Sequence, residues 1–299
     1  MNMRCWMGLL ALAPFLLTGA PLVERDFSAA VREGELPAGV ARIELAGGGA
    51  CLELGAKAPG FDLATVPVEP ETKYRLTLRA RVLDDFTVEQ NDRAHIEAVM
   101  RRGRWESGYL VRFDDPAASD GRKPSGGGGF FLTREWHDYV HVFRVPAGVR
   151  QATIRLEPRK HVTQVARLAI EADEEGGTIN NNPDFRYGEL NYCGWQPQRD
   201  GRLYRLPDGS CVFRSGYGGS SPAFPLQAGR NYRMSGRGEG GHLNISYSDE
   251  NGRPIASRFL LRPTPAGETV ELVPPEGTVA GRVTLYGVLL REFTVRPVK

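Results

Sequence analysis

Apolar and polar residues alternate along several stretches of the chain, which is the pattern of a β-strand with one buried face. In residues 74–80 the tyrosine, both leucines and the alanine share one side, while Arg75 and Arg79 lie on the other. The same alternation runs through residues 95–100 and 242–247. No stretch beyond the first twenty residues has the periodicity of a three-turn helix. The pattern predicts an all-β protein with antiparallel strands.

The chain also repeats itself at the spacing of one domain, about 150 residues. Residues 64–75 align without a gap on residues 222–233, which superposes Pro67 on Pro225 and Tyr74 on Tyr232. We therefore expect a duplicated domain whose shared residues hold the fold. The predicted division is a signal peptide at 1–20, a β-sandwich at 21–173, a polar linker at 174–183 and a second β-sandwich at 184–299.

Several motifs of the second copy resemble a known family. They are Asn181-x-x-Asp184-Phe185, then Gly194-Trp195, a Pro225-to-Tyr232-Arg233 strand, a strand ending at 247–252, and Pro275-x-Gly277 before the closing strands. This arrangement is similar to the jelly-roll, galactose-binding-like carbohydrate-binding modules that accompany secreted glycoside hydrolases. The resemblance implies two tandem antiparallel jelly-roll β-sandwiches and a polysaccharide or other glycan ligand.

The family often holds a structural calcium between the opening segment and an aspartate of the last strand. The corresponding stretches here, residues 166–171 and 291–295, contain no aspartate. We therefore expect no calcium and no other cofactor, and we interpret Asp26 and Asp184 as turn or cap formers.

Sugar binding requires a flat aromatic ring and bidentate polar groups, and arginine adds a preference for acidic sugars. The outward positions supply Arg75, Arg79, His95, Glu97, Trp105 and Tyr109 in the first copy, and Trp195, Arg233, Arg237, His242 and Asn244 in the second, with Tyr204 and Tyr217 as further platforms. We expect the better site in the first copy, because Trp105, Arg79 and Glu97 occur together there.

Each of these candidates also has a structural interpretation. An arginine on an outward strand position commonly pairs with a cross-strand carboxylate. Trp195 could close one end of the sandwich, and the alignment of His95 with His242 also fits a structural histidine.

Cysteine spacing indicates one disulfide. Cys193 and Cys211 flank a predicted hairpin, and an exported compartment permits the bond. Metal ligation is the alternative, although no second cysteine pair or histidine lies at ligand spacing. Cys51 is interpreted as a buried apolar residue.

The first twenty residues have the layout of a secretory signal peptide. Arg4 gives a positive start, residues 5–17 form an apolar run that contains Pro14, and residues 18–20 are small. An apolar helix of this length rises only about 20 Å, short of the roughly 30 Å core of a bilayer. We expect cleavage after Ala20 and export to the periplasm or the exterior. An uncleaved membrane anchor is the alternative.

Composition narrows the function classes. The 38 basic and 36 acidic residues are nearly balanced, whereas a nucleic-acid binder normally shows a strong basic excess. The 36 glycines and 21 prolines suit a turn-rich β protein. No later segment is apolar enough to span a membrane, and motifs for phosphate loops, zinc sites and serine nucleophiles are absent from the sequence.

Two other function classes stay open beside glycan binding. Some polysaccharide lyases use Tyr, His and Arg to remove a proton next to a uronate carboxylate, and Tyr109, His95 and Arg79 are the candidates. A glycosidase needs two carboxylates across a cleft, for which Glu97 and Glu106 are available. The remaining class is an envelope subunit that recruits a protein partner by strand addition. We favour a non-catalytic glycan-binding protein.

Overall fold

The fold is taken from a computed structural model, which describes residues 22–27, 36–83, 107–113, 125–130, 134–158, 161–173, 177–196 and 201–298 of the chain. These residues form seventeen β-strands and no helix, so the all-β prediction is confirmed. The strands are β1 (Val23–Asp26), β2 (Val40–Glu44), β3 (Ala50–Leu54), β4 (Phe61–Pro67), β5 (Lys73–Val82), β6 (Ser107–Phe113), β7 (Ser125–Phe130), β8 (His137–Arg144), β9 (Gln151–Pro158), β10 (Thr163–Ala172), β11 (Arg202–Arg205), β12 (Cys211–Ser220), β13 (Phe224–Pro225), β14 (Tyr232–Ser248), β15 (Pro254–Leu261), β16 (Glu268–Leu272) and β17 (Ala280–Pro297).

Strands β1 to β10 form two sheets that pack face to face. Sheet I has the order β2, β3, β10, β5, β8, with β1 paired to β10, and sheet II has the order β4, β9, β6, β7. Their strand pairs are antiparallel. Leu76 of β5, Val111 of β6 and Ile154 of β9 belong to one hydrophobic core between the sheets. This part of the chain is a β-sandwich.

Strand β5 shows how the alternation builds that core. The even-numbered residues from Tyr74 to Ala80 are buried, whereas Arg75 and Arg79 lie on the opposite face of sheet I. Burial of apolar area stabilises the sandwich by about 25 cal/mol per Å². The inward and outward faces of this strand are those that the sequence predicts.

Strands β11 to β17 form sheet III, which folds over its own core. Its order is β11, β12, β17, β14, β15, with β13 paired to β17 and β16 paired to β14. The long strands β14 and β17 pair along almost their whole length. Residues from both halves of β14, such as Met234 and Ile245, belong to one hydrophobic core. The sheet must therefore bend around that core.

Aligned tyrosines of the two copies make the same hydrogen bond. The hydroxyl oxygen of Tyr74 accepts from the N–H of Glu69 at 2.9 Å, and that of Tyr232 accepts from the N–H of Gln227 at 3.0 Å. Both rings are buried. Each bond ties the beginning of a long strand to the turn before it, so these shared tyrosines have a structural role.

Residues 177–196, which we name the junction segment, connect sheet I to sheet III through asparagine side chains. Asn191 Oδ1 accepts from the N–H of Val140 on β8 at 2.8 Å. On the other side, Asn180 Nδ2 donates to the carbonyl of Phe293 at 2.7 Å, and Asn180 Oδ1 accepts from the N–H of Val295 at 2.8 Å. Asparagine side-chain amides thus make the hydrogen bonds to backbone groups of both sheets that a neighbouring strand would otherwise make.

The predicted linker, residues 174–183, overlaps the beginning of the junction segment. Asn180 and Asn182 within it are buried. Further along, Leu190 packs against both hydrophobic cores. This polar stretch is therefore packed rather than solvated where it is described, and the exact domain boundaries stay a prediction.

Candidate functional site

The candidate site lies where β14 and β17 bend. Gly240 and Gly241 of β14 and Gly287 of β17 have positive φ angles, which glycine adopts without steric cost. A Cβ atom on Gly241 would overlap the carbonyl oxygen of Tyr286, so the glycine allows a close approach of the two strands. The approach places His242 directly opposite Tyr286.

Four aromatic rings from four adjacent strands form a continuous row at this bend. The aromatic row consists of Tyr217 of β12, Tyr286 of β17, His242 of β14 and Phe259 of β15. His242 stacks on Tyr286 with ring centroids 5.0 Å apart and planes 16° apart. The Phe259 centroid lies 6.0 Å from that of His242, and Tyr217 meets Tyr286 edge to face at 5.2 Å.

The two end rings of the aromatic row are the accessible ones. Tyr217 and Phe259 are each 55% exposed, while His242 and Tyr286 are half-buried and cover each other's faces. An exposed aromatic face presents apolar surface that a ligand can cover. Tyr217 and Phe259 are therefore the surfaces on which a ring-shaped ligand can stack.

A pair of polar side chains lies beside the aromatic row. Asn244 and Thr284 are direct cross-strand partners, and each is two residues along its strand from His242 or Tyr286. Residues two apart on a strand share a face. Within the part of the chain that the structure describes, neither side chain makes a hydrogen bond. An amide and a hydroxyl together offer the donors and acceptors that sugar hydroxyls require.

The four predicted arginines face cross-strand carboxylates. The ion pairs are Arg75–Glu171 at 2.9 Å, Arg79–Asp138 at 3.4 Å, Arg233–Glu271 at 2.7 Å and Arg237–Glu292 at 3.4 Å. The hydrogen bond with Glu171 raises the pKa of Arg75, and the hydrogen bond from Arg233 lowers the pKa of Glu271. Each pair joins directly opposed residues of neighbouring strands. Each of these guanidinium groups has a carboxylate partner across the sheet, as the structural interpretation expects, and their role as ligand contacts stays a prediction.

Trp195 is not a ligand platform. Its side chain is 0% exposed and packs against Phe185 and Phe213, with ring centroids 5.1 and 5.6 Å away. The indole Nε1 donates to the carbonyl of Asn181 at 3.1 Å. A ring with both faces covered cannot stack on a sugar, so that prediction was wrong and the structural interpretation holds.

The predicted disulfide is also absent, because Cys193 and Cys211 lie in separate surroundings and are not bonded to each other. Cys193 Sγ donates to the carbonyl of Val140 on β8 at 3.3 Å, since the junction segment turns toward sheet I. Cys211 lies in the core of sheet III, where burial raises the pKa of its thiol. The prediction of a Cys193–Cys211 bond was therefore wrong. Cys51 is buried as expected, and burial raises its pKa to about 11.

The rest of the predicted set does not come together at one site in the described structure. His95, Glu97 and Trp105 lie outside the described residues. Tyr109 lies on β6 in sheet II, while Arg79 lies on the face of sheet I that points away from sheet II. Tyr204 is half-buried, with the guanidinium of Arg202 at 5.9 Å from its ring.

His242 and Asn244 are the predicted ligand-binding residues that the candidate site contains, together with the platform candidate Tyr217. Sequence reasoning missed Tyr286, Thr284 and Phe259. The sequence could have indicated two of them, because Thr284 and Tyr286 occupy the outward positions of the alternating pattern on β17.

The described residues contain no group of three or more His, Cys, Asp or Glu side chains that could hold a metal ion. Across the same ranges, no helix has the length and apolar character needed to cross a bilayer.

No family model and no curated protein matches the chain. Among solved structures, BiXyn10A CBM1 in its apo form is similar over 52% of this chain and 100% of its own, at 16% identity and a TM-score of 0.31. The CBM22-1 xylan-binding domain of Xyn10C from Paenibacillus barcinonensis is similar over 39% of this chain and 92% of its own, at 16% identity and a TM-score of 0.27. The structure of accessory secretory protein 1, 2 and 3 of Streptococcus pneumoniae is similar over 42% of this chain and 99% of its own, at 13% identity and a TM-score of 0.28. The solved structures similar to this chain thus include carbohydrate-binding modules.

Proposed function

We propose that this chain is an exported, non-catalytic glycan-binding protein and that the aromatic row with Asn244 and Thr284 is its binding face. The observation that carries the proposal is the row itself, in which rings from four neighbouring strands are in contact and both end rings are more than half exposed. Stacking platforms and unused hydrogen-bonding groups then lie side by side on one sheet face.

A purely structural role explains only the middle of the aromatic row. His242 and Tyr286 stack on each other next to the glycines of the bend. That role does not require Tyr217 and Phe259 to stay exposed at the two ends. Contiguous exposed apolar surface commonly marks a binding site, and a sugar ring has an apolar face that can stack on an aromatic ring.

The position of Arg79 argues against the lyase site that the sequence suggested from Tyr109, His95 and Arg79. A lyase site would need a tyrosine, a histidine and an arginine within hydrogen-bond reach of one sugar. Arg79 pairs with Asp138 on the outer face of sheet I, and β6, which carries Tyr109, lies across the hydrophobic core. Export rests on the signal-peptide pattern of residues 1–20 and belongs to the same proposal.

A glycan array tests the proposal most broadly. The wild-type chain, Phe259→Ala and the control Val273→Ala would be applied to neutral and acidic polysaccharides. Val273 is a suitable control because it is 52% exposed in the same part of the chain but does not belong to the aromatic row. We expect wild type and Val273→Ala to retain one glycan that Phe259→Ala loses. If wild type binds no glycan, the protein-partner alternative would replace the proposal.

A further inference from the structure

We infer that the binding face selects an acidic glycan and that Arg282 is the residue that binds the carboxylate or sulfate of the sugar. The inference rests on the proposed function and names the ligand class of the same site. Arg282 was not among the arginines that the sequence singled out.

Arg282 lies on the same face of sheet III as the aromatic row. Along β17 the buried residues Val283 and Leu285 alternate with the outward residues Arg282, Thr284 and Tyr286. Two residues of a strand span about 6.6 Å. A sugar ring placed over Thr284 therefore has Tyr286 on one side and Arg282 on the other, within reach of its ring substituents.

The residue opposite Arg282 on β14 does not bind the Arg282 guanidinium. Ser246 is directly opposite, and its Oγ donates to the backbone carbonyl of Arg282 at 3.3 Å. Within the described ranges, the Arg282 guanidinium has no ion pair, hydrogen bond or ring contact. In contrast, each of the four predicted arginines faces a carboxylate.

The charge around Arg282 favours an anionic ligand. On the Arg282 side of the bend, the outward residues of β14, β15 and β17 include His242, Asn244, Ser246, Ser257, Phe259, Thr284 and Tyr286, none of which is a carboxylate. The exposed carboxylate of Glu239 on β14 lies on the other side of the bend. The guanidinium is planar and matches a carboxylate or sulfate with two parallel hydrogen bonds. An exposed arginine among neutral and aromatic groups is suited to an acidic sugar held on the aromatic row.

The experiment compares acidic polysaccharides with their carboxyl-reduced forms, which keep the backbone and linkage and lose only the charge. Polygalacturonate, alginate and hyaluronan would be titrated against wild type, Arg282→Gln and the control Arg296→Gln. Arg296 is an exposed arginine at the far end of β17. We expect wild type and Arg296→Gln to bind one acidic polymer about tenfold more tightly than its reduced form, and Arg282→Gln to lose that preference. Because salt screens exposed charges, the preference for the acidic polymer over its reduced form should also be smaller at about 500 mM salt than at about 50 mM salt.

The outcomes separate the inference from the function on which it rests. Equal binding of an acidic polymer and its reduced form, or an acidic preference that survives Arg282→Gln, would overturn the role of Arg282 and leave glycan binding intact. Binding of neutral polysaccharides alone would do the same. The absence of binding to all of these polymers and to every polysaccharide of the array would remove the proposed function as well.

Discussion

Glu71 and Gly229 occupy the same position in the two copies, in the turn before β5 and before β14. Both have positive φ angles, 59° and 76°. The N–H of Glu71 donates to the carbonyl of Val145 at 2.9 Å, and that of Gly229 donates to the carbonyl of Pro274 at 3.4 Å. The fold thus demands a left-handed residue at this turn, and only the second copy supplies a glycine.

Substitution Glu71→Gly should therefore stabilise the protein. Left-handed backbone costs a non-glycine residue about 1–2 kcal/mol, and glycine costs roughly 0.4–1 kcal/mol through the unfolded chain. We expect a net gain of about 0.5–1 kcal/mol in the free energy of unfolding, measured by urea denaturation. The matched variant Gly229→Ala should be less stable than wild type, because alanine is strained at a positive φ angle. A Cβ atom there would meet no atom within 4 Å, so a steric clash does not contribute to the loss. A loss of stability in Glu71→Gly would contradict this account of the turn.

His141 makes stability depend on pH. Its side chain points from β8 into the interior of the first sandwich, and burial lowers its pKa to about 3. In the unfolded chain the pKa of a histidine is about 6.5. Between these two pKa values the unfolded chain binds a proton that the folded chain excludes. The contribution of His141 to the free energy of unfolding is therefore complete above about pH 6.5 and is lost as the pH falls toward about 3.

The measurement is urea unfolding of wild type and His141→Leu from pH 7 to pH 4. We expect the wild-type stability to fall more steeply with acidification, by up to roughly 1.4 kcal/mol per pH unit relative to the variant. Parallel pH profiles of the two proteins would show that His141 does not carry this dependence.

At the scale of elements, β17 shows what sequence periodicity can and cannot reveal. The buried residues are Val283 and Leu285, then Val288 and Leu290, then Phe293 and Val295. The first shift between odd and even numbering occurs at Gly287, whose positive φ turns the strand. A period of two therefore predicts short separate strands at 281–285 and 292–295, where the structure has one continuous strand.

The same break explains which part of the site was predictable. His242 and Asn244 lie within an uninterrupted alternation on β14, so their outward position could be derived from the sequence. Tyr286 immediately precedes Gly287, and Phe259 lies beyond a register shift between β14 and β15. Ring contacts across four strands depend on pairing partners, which alternation within one strand does not specify. The four arginines were correctly placed outward, but their opposite carboxylates depend on register in the same way.

Strand β8 is an edge of sheet I, and the junction segment covers that edge. Besides its bond to Val140, Asn191 Nδ2 donates to the carbonyls of Tyr187 at 2.5 Å and Asp138 at 3.5 Å. Asn181 Nδ2 donates to the carbonyl of Val142 at 2.8 Å. An uncovered sheet edge invites pairing with another chain, so these amides protect β8 as well as join it to the segment.

Substitution Asn191→Ala should leave partly buried backbone groups of β8 without partners. We expect a loss of about 1–3 kcal/mol in the free energy of unfolding, together with faster hydrogen exchange at the amide of Val140. Asn251→Ala is the matched control, because Asn251 is exposed in the β14–β15 turn. It should change stability by less than about 0.5 kcal/mol. Equal stabilities of the two variants would remove Asn191 from its role at the edge.

For the whole molecule, the central claim is that sheet III binds a glycan through the two exposed ends of the aromatic row. The most direct measurement is a calorimetric titration, with the glycan retained in the array, of wild type, the double variant Tyr217→Ala/Phe259→Ala and the control Val273→Ala. Loss of the two end rings should weaken binding by about tenfold or more, roughly 1.4 kcal/mol, while the melting temperature stays within a few degrees of wild type because both side chains are exposed. Val273→Ala should bind as wild type does. If the double variant keeps its fold and binds the glycan with wild-type affinity, the aromatic row is not the binding face.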